Sequence, residues 1–388
     1  MKKIKIMSIV GTRPEAIKMA PLIRFLKETE QVESILTLTA QHREMLDQVL
    51  SLFELEAHYD LDIMLQNQTL IHITASALKG LDRVLALEKP DLVLIQGDTT
   101  TTFAGSLAAF YHKIPVGHVE AGLRTGDKYA PFPEEINRCL NSVIADFHFA
   151  PTRAAADNLL REGIDEDTIY ITGNTVIDAL KTTIQRDFTF SDPRLQGLDF
   201  NTSRILLVEV HRRENLGSPL EEICKALLDI LKDFPDTHLV FPVHKNPAVR
   251  KIVYSYLRGH PRVTLLEPLD TLTFHNLMAR SYLILTDSGG IQEEAPSLGR
   301  PVLVLRNVTE RPEALAAGTA RLAGNSRKSV YSLTARLLQN KSAYETMSRI
   351  ANPFGDGQAA KRIVQILLYH FGLWGSMPVP FTPATGKE

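Results

Sequence analysis

The chain has 388 residues, of which 44% are hydrophobic and 23% charged, and its formal net charge is −2. This length favours two domains over one hydrophobic core, and the small net charge gives no global attraction to nucleic acid or to an anionic membrane. The two cysteines, Cys139 and Cys224, lie far apart without metal-ligand spacing. They argue against a disulfide framework and a cysteine-based metal site.

The N-terminus has the lysines of a signal peptide but not the rest of one. Its apolar run, residues 6–10, is short and ends in Gly-Thr-Arg-Pro-Glu without a small-residue cleavage site, which indicates a buried first strand. No apolar stretch approaches the roughly 20 residues that cross a bilayer. We therefore expect a soluble, cytoplasmic protein that binds neither membrane nor nucleic acid.

Short apolar runs alternate with amphipathic segments along the chain, which predicts an α/β fold of parallel strands in right-handed βαβ units. The strands predicted in the first half are Ile4–Val10, Ser34–Thr39, Leu92–Gln96, Val116–Glu120, Phe147–Ala150 and Ile169–Thr172. The strands predicted in the second half are Ile205–Val210, His238–Val243, Val263–Leu266, Tyr282–Thr286 and Pro301–Leu305.

The alternation is interrupted once, over residues 183–204, where Asp-Pro, Gly and Ser occur without clear periodicity. This segment is the candidate linker between two doubly wound domains, which we place at 1–175 and 176–358. The amphipathic stretch 359–373 is expected to form a helix that rejoins the first domain, and 374–388 has the composition of a flexible tail.

Ligands of open α/β sheets bind beyond the carboxyl ends of the strands, so two such domains would face each other across a central cleft. The unusual polar residues do cluster at predicted strand ends. After the first strand, residues 11–15 open a helix whose N–H groups, with Arg13 and Lys18, suit an anion, unless they form a plain turn. They do not match GxGxxG, so a nicotinamide dinucleotide has no motif support.

Three carboxylates follow later strands of the first half. Asp98, within Gln-Gly-Asp-Thr-Thr-Thr-Thr, is either a helix N-cap or a carboxylate that the threonine hydroxyls hold over the cleft. Glu120 ends an apolar strand, where a buried carboxylate needs a reason. Glu134 begins a helix after two prolines, where an acidic residue is also common because of the helix dipole. Together the three suit acid/base chemistry at a weakly acidic carbon.

In the second half, His211 is followed by two arginines directly after a strand, which indicates an anion site or a solvated charged turn. The segment Thr-Asp-Ser-Gly-Gly-Ile-Gln-Glu-Glu, residues 286–294, links a strand to a helix with small residues that let a phosphate approach the backbone. Glu294 suits a ribose diol and Arg311 the phosphates, so this half predicts a nucleotide diphosphate site. It lacks the P-loop pattern GxxxxGK[ST].

Eight segments, in order over residues 11–313, resemble the non-hydrolysing UDP-N-acetylglucosamine 2-epimerases. They are GTRPEAIKMAPL, QGDTTTTFAG, GHVEAGLRTG, PFPEEINR, TGNTVID, HRRENLG, TDSGGIQEEAPSLG and TERPE. The resemblance implies the GT-B architecture, which has two Rossmann-like domains around a central site, and it implies a cytoplasmic homodimer that acts on a UDP-sugar without cofactor or metal.

The resemblance also implies roles for individual residues. The catalytic residues would be Asp98, Glu120, Glu134 and His211, with His211 at the leaving pyrophosphate. The residues that bind substrate would be Arg13, Lys18, Phe274, Ser288, Gly289, Gly290, Glu294 and Arg311. Among these, Phe274 would lie near the uracil, Glu294 at the ribose, and the Ser-Gly-Gly turn at the diphosphate.

The reaction that the family implies explains this set. The C2 hydrogen of the sugar is not acidic until UDP leaves C1, and its removal then gives 2-acetamidoglucal. Protonation on the other face and re-addition of UDP give the epimer, which supplies N-acetylmannosamine units for cell-surface polysaccharide. One proton-transfer group is useful on each face of C2, and donors must stabilise the departing UDP.

Three departures from the family pattern stand out. Glu209 lies shortly before His211, where relatives usually have a small or hydroxyl side chain, and it is expected to shift the pKa of His211 or to pair with an arginine. Glu44 and Asn67 stand where some bacterial members bind a second substrate molecule as activator, so allosteric activation is in question. Asn307-Val308 replaces a more usual Asp-Thr.

Three other functions share parts of these features. An epimerase that hydrolyses its product would release free N-acetylmannosamine after the same elimination. A GT-B glycosyltransferase would not need the three carboxylates. A sensor that binds a nucleotide sugar without turnover would be favoured by the loss of an acid/base residue, but Asp98, Glu120, Glu134 and His211 are all present.

Overall fold

The computed structural model describes residues 3–39, 43–65 and 68–384, and the contacts between them divide the chain into two compact units. Unit 1 comprises Met1–Thr182 with Phe354–Thr382, and unit 2 consists mainly of Thr183–Pro353. The first helix after residue 174 thus falls almost entirely in unit 1, whereas our boundary at 175 and 176 placed it in the second domain. The described residues include no helix that is long and apolar enough to cross a membrane.

Unit 1 is a seven-stranded parallel sheet with helices between the strands. Its elements in chain order are β1 Ile4–Val10, α1 Arg13–Glu28, β2 Val32–Leu38, α2 Arg43–Leu52, β3 Tyr59–Asp60, α3 Leu70–Glu88, β4 Leu92–Gln96, α4 Thr100–Tyr111, β5 Val116–Val119, α5 Glu134–Ile144, β6 Phe147–Ala150, α6 Arg153–Arg161, β7 Ile169–Ile171 and α7 Thr175–Thr183.

Unit 2 has a parallel sheet of six strands. Its elements are α8 Pro193–Gln196, β8 Arg204–Glu209, α9 Ser218–Asp233, β9 Thr237–Pro242, α10 Pro247–Leu257, β10 Val263–Leu266, α11 Thr271–Arg280, β11 Leu283–Thr286, α12 Gly289–Glu294, β12 Val302–Val304, α13 Pro312–Ala317, β13 Ala320–Leu322, α14 Arg327–Gln339 and α15 Lys341–Ser348. The predicted α/β class with two doubly wound sheets is confirmed.

In each sheet the order of the strands reverses beside the first strand of the unit, β1 or β8. The strand order is β3-β2-β1-β4-β5-β6-β7 in unit 1 and β10-β9-β8-β11-β12-β13 in unit 2. Connections leave to opposite sides at such a reversal, so a crevice opens at the carboxyl ends of the two central strands. In unit 1 these are the ends of β1 and β4, and in unit 2 they are the ends of β8 and β11.

The strands are buried because their residues are apolar on both faces. The core of unit 1 packs the apolar face of α1, including Met19 and Leu22, against β1 residues such as Ile6. In unit 2, Leu206 and Leu285 of the central strands pack against α9. This two-sided burial explains why near-continuous apolar runs identified these strands.

The last helix of the chain, α16 Ala359–His370, belongs to unit 1, where it packs against α1 and contributes Ile363 and Leu367 to the core. Its first N–H groups, at Ala359 and Ala360, donate to the carboxylate of Asp178 in α7 at 3.2 and 2.9 Å. Burial raises the pKa of Asp178 to about 6, against the effect of these two N–H groups.

Phe381 packs against unit 1, although it lies in the segment that we expected to be a flexible tail from residue 374. The Phe381 side chain is 5% exposed, its N–H donates to the carbonyl of Ile171 at 2.8 Å, and the guanidinium of Arg362 lies 5.7 Å from its ring centroid. A buried aromatic ring and one sheet-edge hydrogen bond therefore hold this segment.

Gly122 is the glycine of unit 1 whose position leaves least freedom for another residue. It has φ +88°, and a Cβ on it would lie 2.2 Å from the carbonyl oxygen of Ala155 in α6. Its own carbonyl accepts a hydrogen bond from Asn158 Nδ2 at 2.8 Å. The loop after β5 thus approaches α6 at backbone distance, which requires glycine.

We expect Gly122→Ala to lower the free energy of unfolding of unit 1 by about 3 kcal/mol or more, because it adds a backbone clash to left-handed strain of about 1–2 kcal/mol. The matched control is Gly163→Ala, which has φ +82° but no atom within 4 Å of its added Cβ and carries the strain alone. Urea unfolding followed by circular dichroism measures both. Equal losses in the two variants would contradict the close approach.

Candidate functional site

The polar residues after β1 and β4 of unit 1 form one hydrogen-bonded cluster around Glu15. This carboxylate is 3% exposed and accepts the N–H groups of Gly11 at 2.6 Å and Thr12 at 2.8 Å. It also accepts the hydroxyl of Thr102 at 3.2 Å and that of Thr99. Burial raises the pKa of Glu15, although each of these donors lowers it.

The role that we predicted for the threonine run is therefore wrong. The hydroxyls of Thr99 and Thr102 bind not Asp98 but the buried Glu15, which the sequence had not singled out. Asp98 is not the N-cap of α4 either, because Thr99 occupies that position and accepts the N–H of Thr102. The sequence did contain a signal for Glu15. It is the third residue of α1, three positions after Thr12, where a glutamate can accept hydrogen bonds from the N–H groups of the preceding turn.

Asp98 is instead held by α5. Arg138 contacts its Oδ2 through Nε at 2.9 Å and through a terminal nitrogen at 2.7 Å, and Asn137 Nδ2 donates to the Asp98 carbonyl at 2.9 Å. Arg138 also binds Glu135 at 3.1 Å. Burial alone would lower the pKa of Arg138, but these two carboxylates raise it. Arg138 is thus a fixed cation that positions Asp98.

Glu120 lies one residue beyond the observed end of β5, not within the strand as we predicted, and has φ +67°. Its carboxylate accepts hydrogen bonds from Lys18 Nζ at 2.5 Å, Gln96 Nε2 at 2.6 Å and Asn174 Nδ2 at 2.9 Å. These three donors, one of them charged, compensate for the cost of burying a carboxylate that is only 6% exposed. They also join the ends of β4 and β5.

Glu134 is the first residue of α5, one turn before the two residues that contact Asp98. On a helix, residues three and four apart share a face, so Glu134 lies on the same face as Asn137 and Arg138. Its Oε2 is buried and makes no hydrogen bond to any residue that the structure describes. Both oxygens of Glu120, in contrast, accept hydrogen bonds from described residues.

His118, in the middle of β5, is the neutral member of this group. The side chain is fully buried, and Nε2 lies 2.8 Å from the carbonyl oxygen of Gly97, to which it donates. Burial lowers the pKa of His118 to about 3. It therefore fixes the turn before Asp98 as an uncharged donor and takes no part in proton transfer near neutral pH.

Asp287 organises the corresponding end of the sheet in unit 2. The carboxylate is fully buried and accepts the backbone N–H groups of His211 at 3.1 Å and Arg212 at 2.9 Å. It also accepts Asn215 Nδ2 at 2.8 Å, and the same amide group donates to the carbonyl of Leu305 at 2.9 Å. Asp287 thus joins the chain after β8 to the chain after β11 and β12.

The imidazole of His211 lies next to two carboxylates. Its Nδ1 is 2.6 Å from Glu209 Oε1 and 3.3 Å from Asp287 Oδ1. Burial lowers the pKa of His211, but Glu209 and then Asp287 raise it, so that it lies above the ordinary value. Of the two outcomes expected for Glu209, the raised pKa of His211 fits the structure, and the carboxylate pairs with that imidazole instead of with an arginine.

Ser288 is the N-cap of α12, and Gly289 and Gly290 are the first two residues of that helix, directly after β11. A Cβ on Gly289 would lie 3.7 Å from the guanidinium carbon of Arg311, so this cation lies over the glycine turn. Arg311 is fixed by an ion pair with the buried Glu293. The structure therefore brings Arg311 close to the Ser-Gly-Gly segment, as its assignment to the diphosphate requires.

Two other predicted residues lie further along α11 and α12. Glu294 Oε2 is 3.5 Å from His275 Nε2, and the other ring nitrogen of His275 is 2.6 Å from the Thr183 hydroxyl. Phe274, the neighbour of His275 in α11, is half-buried. Their assignment to ribose and uracil remains a prediction.

The predicted contacts of Arg13 and Lys18 with phosphate and sugar also remain predictions, and Lys18 is engaged by Glu120. Of the two positions connected with activation, Glu44 falls in helix α2 and Asn67 lies outside the described residues. Nothing in the structure explains the Asn307-Val308 departure.

Comparison with known proteins identifies the family. A sequence model described as UDP-N-acetylglucosamine 2-epimerase matches residues 24–368. The UDP-N-acetylglucosamine 2-epimerase of Bacillus subtilis is 54% identical over 382 residues, which are 98% of this chain and 100% of that protein.

Two solved structures agree in fold with this chain. A crystal structure of a UDP-N-acetylglucosamine 2-epimerase has 52% identity and a TM-score of 0.91, covering 98% of this chain and 100% of that one. The enzyme from Neisseria meningitidis, bound to UDP-GlcNAc, has 50% identity and a TM-score of 0.86, covering 94% and 100%. The family predicted from the eight motifs is confirmed: this chain belongs to the UDP-N-acetylglucosamine 2-epimerases.

Proposed function

We propose that the chain interconverts UDP-N-acetylglucosamine and UDP-N-acetylmannosamine by eliminating UDP to 2-acetamidoglucal and adding it back. Family membership supports the substrate, since a relative with 50% identity binds UDP-GlcNAc. The observation that carries the mechanism is the buried Oε2 of Glu134, which accepts no hydrogen bond from the described residues and lies on the helix face that contacts Asp98. A carboxylate oxygen that no described residue binds has a lone pair available to accept a proton from a bound substrate.

The proposed proton transfers use Glu134 and Asp98, one on each face of C2. Arg138 contacts only Oδ2 of Asp98, so Oδ1 makes no hydrogen bond to the described residues. Both oxygens of Glu120, in contrast, accept hydrogen bonds, from Lys18 and Asn174 on one and from Gln96 on the other. We therefore assign Glu120 to orienting Lys18 toward the substrate.

The elimination breaks two bonds. As the C1–O bond breaks, its electron pair goes to the β-phosphate oxygen of UDP, and the C2 proton passes to one carboxylate. The C1–C2 double bond of 2-acetamidoglucal forms from the C–H electron pair. In the return step a UDP oxygen attacks C1, and the carboxyl group on the opposite face, protonated at this stage, gives its proton to C2 and becomes a carboxylate. Proton exchange with water restores both groups between turnovers. His211, Arg311 and the Ser-Gly-Gly turn are proposed to bind the charge on UDP.

The reaction written in this way needs no redox cofactor and no metal. We further propose a homodimer in the cytoplasm, whose product supplies N-acetylmannosamine units for cell-surface polysaccharide. These expectations are supported by the family resemblance, and analytical ultracentrifugation of the purified protein tests the homodimer.

The direct test is incubation of the protein with UDP-N-acetylglucosamine in D2O, with the C1 and C2 signals followed by NMR. We expect both UDP-sugars, with deuterium at C2, because every turnover removes and replaces that hydrogen. Accumulation of UDP and free N-acetylmannosamine would assign the chain to the hydrolysing reaction. Binding of the substrate without exchange would leave a sensor.

The assignment of one carboxylate to each face predicts a split between the two sugars. We expect Glu134→Gln and Asp98→Asn each to slow epimerisation by about 10²–10⁴-fold. Each variant should still exchange the C2 hydrogen of one UDP-sugar, because the remaining carboxylate can remove and return a proton on its own face. The two variants should retain exchange in opposite sugars, measured by NMR starting from each pure sugar.

The control for this pair is Glu166→Gln, which changes an exposed acidic residue in the first turn of the short 3-10 helix Glu166–Thr168 of unit 1. If Glu134 served only to stabilise the start of its helix, Glu134→Gln would keep full activity, as we expect of the control Glu166→Gln. Loss of C2 hydrogen exchange from both UDP-sugars in Glu134→Gln and in Asp98→Asn would contradict the assignment of these residues to opposite faces.

The diphosphate assignment predicts that Arg311→Lys weakens binding of UDP by about tenfold or more, because lysine lacks the planar fork that binds phosphate oxygens in pairs. Lysine keeps a positive charge beside the buried Glu293. The matched control is Arg349→Lys, an exposed arginine that also pairs with a glutamate, Glu345, at 3.2 Å. Isothermal titration calorimetry with UDP measures both, and equal affinities would exclude Arg311 from the site.

A further inference from the structure

Glu209, the last residue of β8, has a carboxylate that the proposed proton transfers do not use. Its Oε1 lies 2.6 Å from His211 Nδ1, and its Oε2 accepts the hydroxyl of Thr286 in the neighbouring β11 at 2.9 Å. Both oxygens are thus fixed, and one points at the imidazole. The side chain is 20% exposed, so water screens this interaction only in part.

Asp287 lies near the same nitrogen but is bound differently. Its two oxygens accept the N–H groups of His211 and Arg212 and the amide of Asn215, so its charge is already spread over fixed donors. For Glu209, the partners are the neutral Thr286 hydroxyl and the imidazole. Glu209 is therefore the carboxylate whose charge is directed mainly at His211.

The other charged or titratable groups around His211 do not cancel this effect. The ring of His244, after β9, lies 6.0 Å from the ring of His211, and Arg212 opposes the positive charge on His211. Burial also opposes it, yet the pKa of His211 is raised, with Glu209 the larger of the two raising causes and Asp287 the smaller.

One more cation, Arg306, follows β12 near Asp287. It is paired with Glu214 at 2.5 Å and with Glu310 at 3.6 Å, so its charge is matched by carboxylates of its own. Two carboxylates other than Glu209 and Asp287 therefore offset the charge of Arg306.

Glu209, His211 and Asp287 have ligand atoms within 4.8 Å of one another, which is also compatible with a metal site. The distance between Glu209 and His211 favours a shared hydrogen over a metal ion. Two ligands that bind one metal at about 2.1 Å each are separated by about 3 Å or more, whereas Glu209 Oε1 and His211 Nδ1 are 2.6 Å apart. Only a hydrogen between nitrogen and oxygen fits that separation.

We propose that Glu209 is a positioning residue that keeps His211 as an imidazolium cation, with Nδ1–H donated to Glu209 and Nε2–H available to the diphosphate. The proposal rests on the proposed function, because it takes His211 as a residue at the departing UDP. Nε2 makes no hydrogen bond to the described part of the chain.

The charge state decides what His211 presents to a phosphate oxygen. As an imidazolium it offers Nε2–H and a positive charge, both of which stabilise the charge that develops on UDP as the C1–O bond breaks. As a neutral imidazole with its hydrogen on Nδ1, it presents the Nε2 lone pair, which repels that oxygen. Loss of one proton thus turns a donor into an acceptor.

The pH dependence follows from the direction of the shift. Since the pKa of His211 is raised, the cation persists at higher pH than it would in an ordinary histidine, and elimination should decline as pH rises through that raised pKa. Removing the charge of Glu209 lowers the pKa of His211, so this decline should begin at lower pH.

The test uses Glu209→Gln, which keeps an oxygen acceptor for Nδ1–H and removes the charge, and Glu209→Asp, which keeps the charge. Histidine ¹⁵N NMR of the ligand-free protein gives the pKa of His211. We expect it to fall by about one unit or more in Glu209→Gln and to recover in large part in Glu209→Asp. The alkaline limb of kcat/KM for epimerisation should move by the same amount in each variant.

The control is Asp82→Asn, which removes the carboxylate 2.8 Å from His112 Nε2, an exposed carboxylate–histidine pair of unit 1. It should leave the alkaline limb unchanged. If Glu209→Gln does not fold, Glu209→Thr replaces it, because threonine also removes the charge and keeps a hydroxyl group at this position.

The proposal is overturned if the pKa of His211 and the alkaline limb stay unchanged in the charge-neutral variant. It is also overturned if a divalent cation in the purified protein binds His211 and abolishes its titration. A wild-type protein without C2 exchange would instead refute the proposed function, and the NMR titration would still decide what Glu209 does to His211.

Discussion

The carboxylate of Asp287 is the interaction on which the site in unit 2 depends. A buried negative charge without partners would destabilise the fold by several kcal/mol, so the chain around it must supply donors. It does so with two backbone N–H groups after β8 and the amide of Asn215, which also binds the carbonyl of Leu305 after β12. Three neighbouring strand ends are thereby held together, and the loop that carries His211 is fixed.

Unit 1 meets the same constraint with a different residue. Glu15 is buried where β1 and β4 part and accepts hydrogen bonds from the turn after β1 and from the threonines that begin α4. In both units, then, a buried carboxylate accepts hydrogen bonds from the chain segments that follow the two central strands and holds these segments together. The carboxylates proposed for chemistry lie beside this fixed layer, and Asp98 and Glu120 each have a cationic partner of their own.

The sequence was most informative where burial imposes a simple pattern. The bounds of β1, β4, β6 and β10 were predicted correctly, because each is an apolar run between polar turns. β3 and β13 were missed: Tyr59–Asp60 is two half-polar residues, and Ala320–Leu322 lies at a sheet edge with partly exposed side chains. Such strands exist through pairing with a neighbour, which no local pattern encodes.

The site was predictable in its members but not in its contacts. Motifs identified Asp98 and Glu120, but their partners Arg138 and Lys18 lie 40 and 102 residues away along the chain. The threonines were assigned to Asp98 because it is adjacent, whereas in the structure Thr99 and Thr102 bind Glu15. Glu209 was recognised as unusual, and only the geometry chose histidine over arginine as its partner.

The return of α16 to unit 1 has a consequence for the order in which the protein is made. Unit 2 is almost continuous in the chain, but the core of unit 1 includes Ile363 and Leu367, and its α7 supplies the carboxylate that receives the first turn of α16. During synthesis residues 1–182 are made before α16, so the part of α1 that α16 packs against has no cover until residues 359–370 follow. Unit 1 can therefore complete its core only after the main segment of unit 2 has been made.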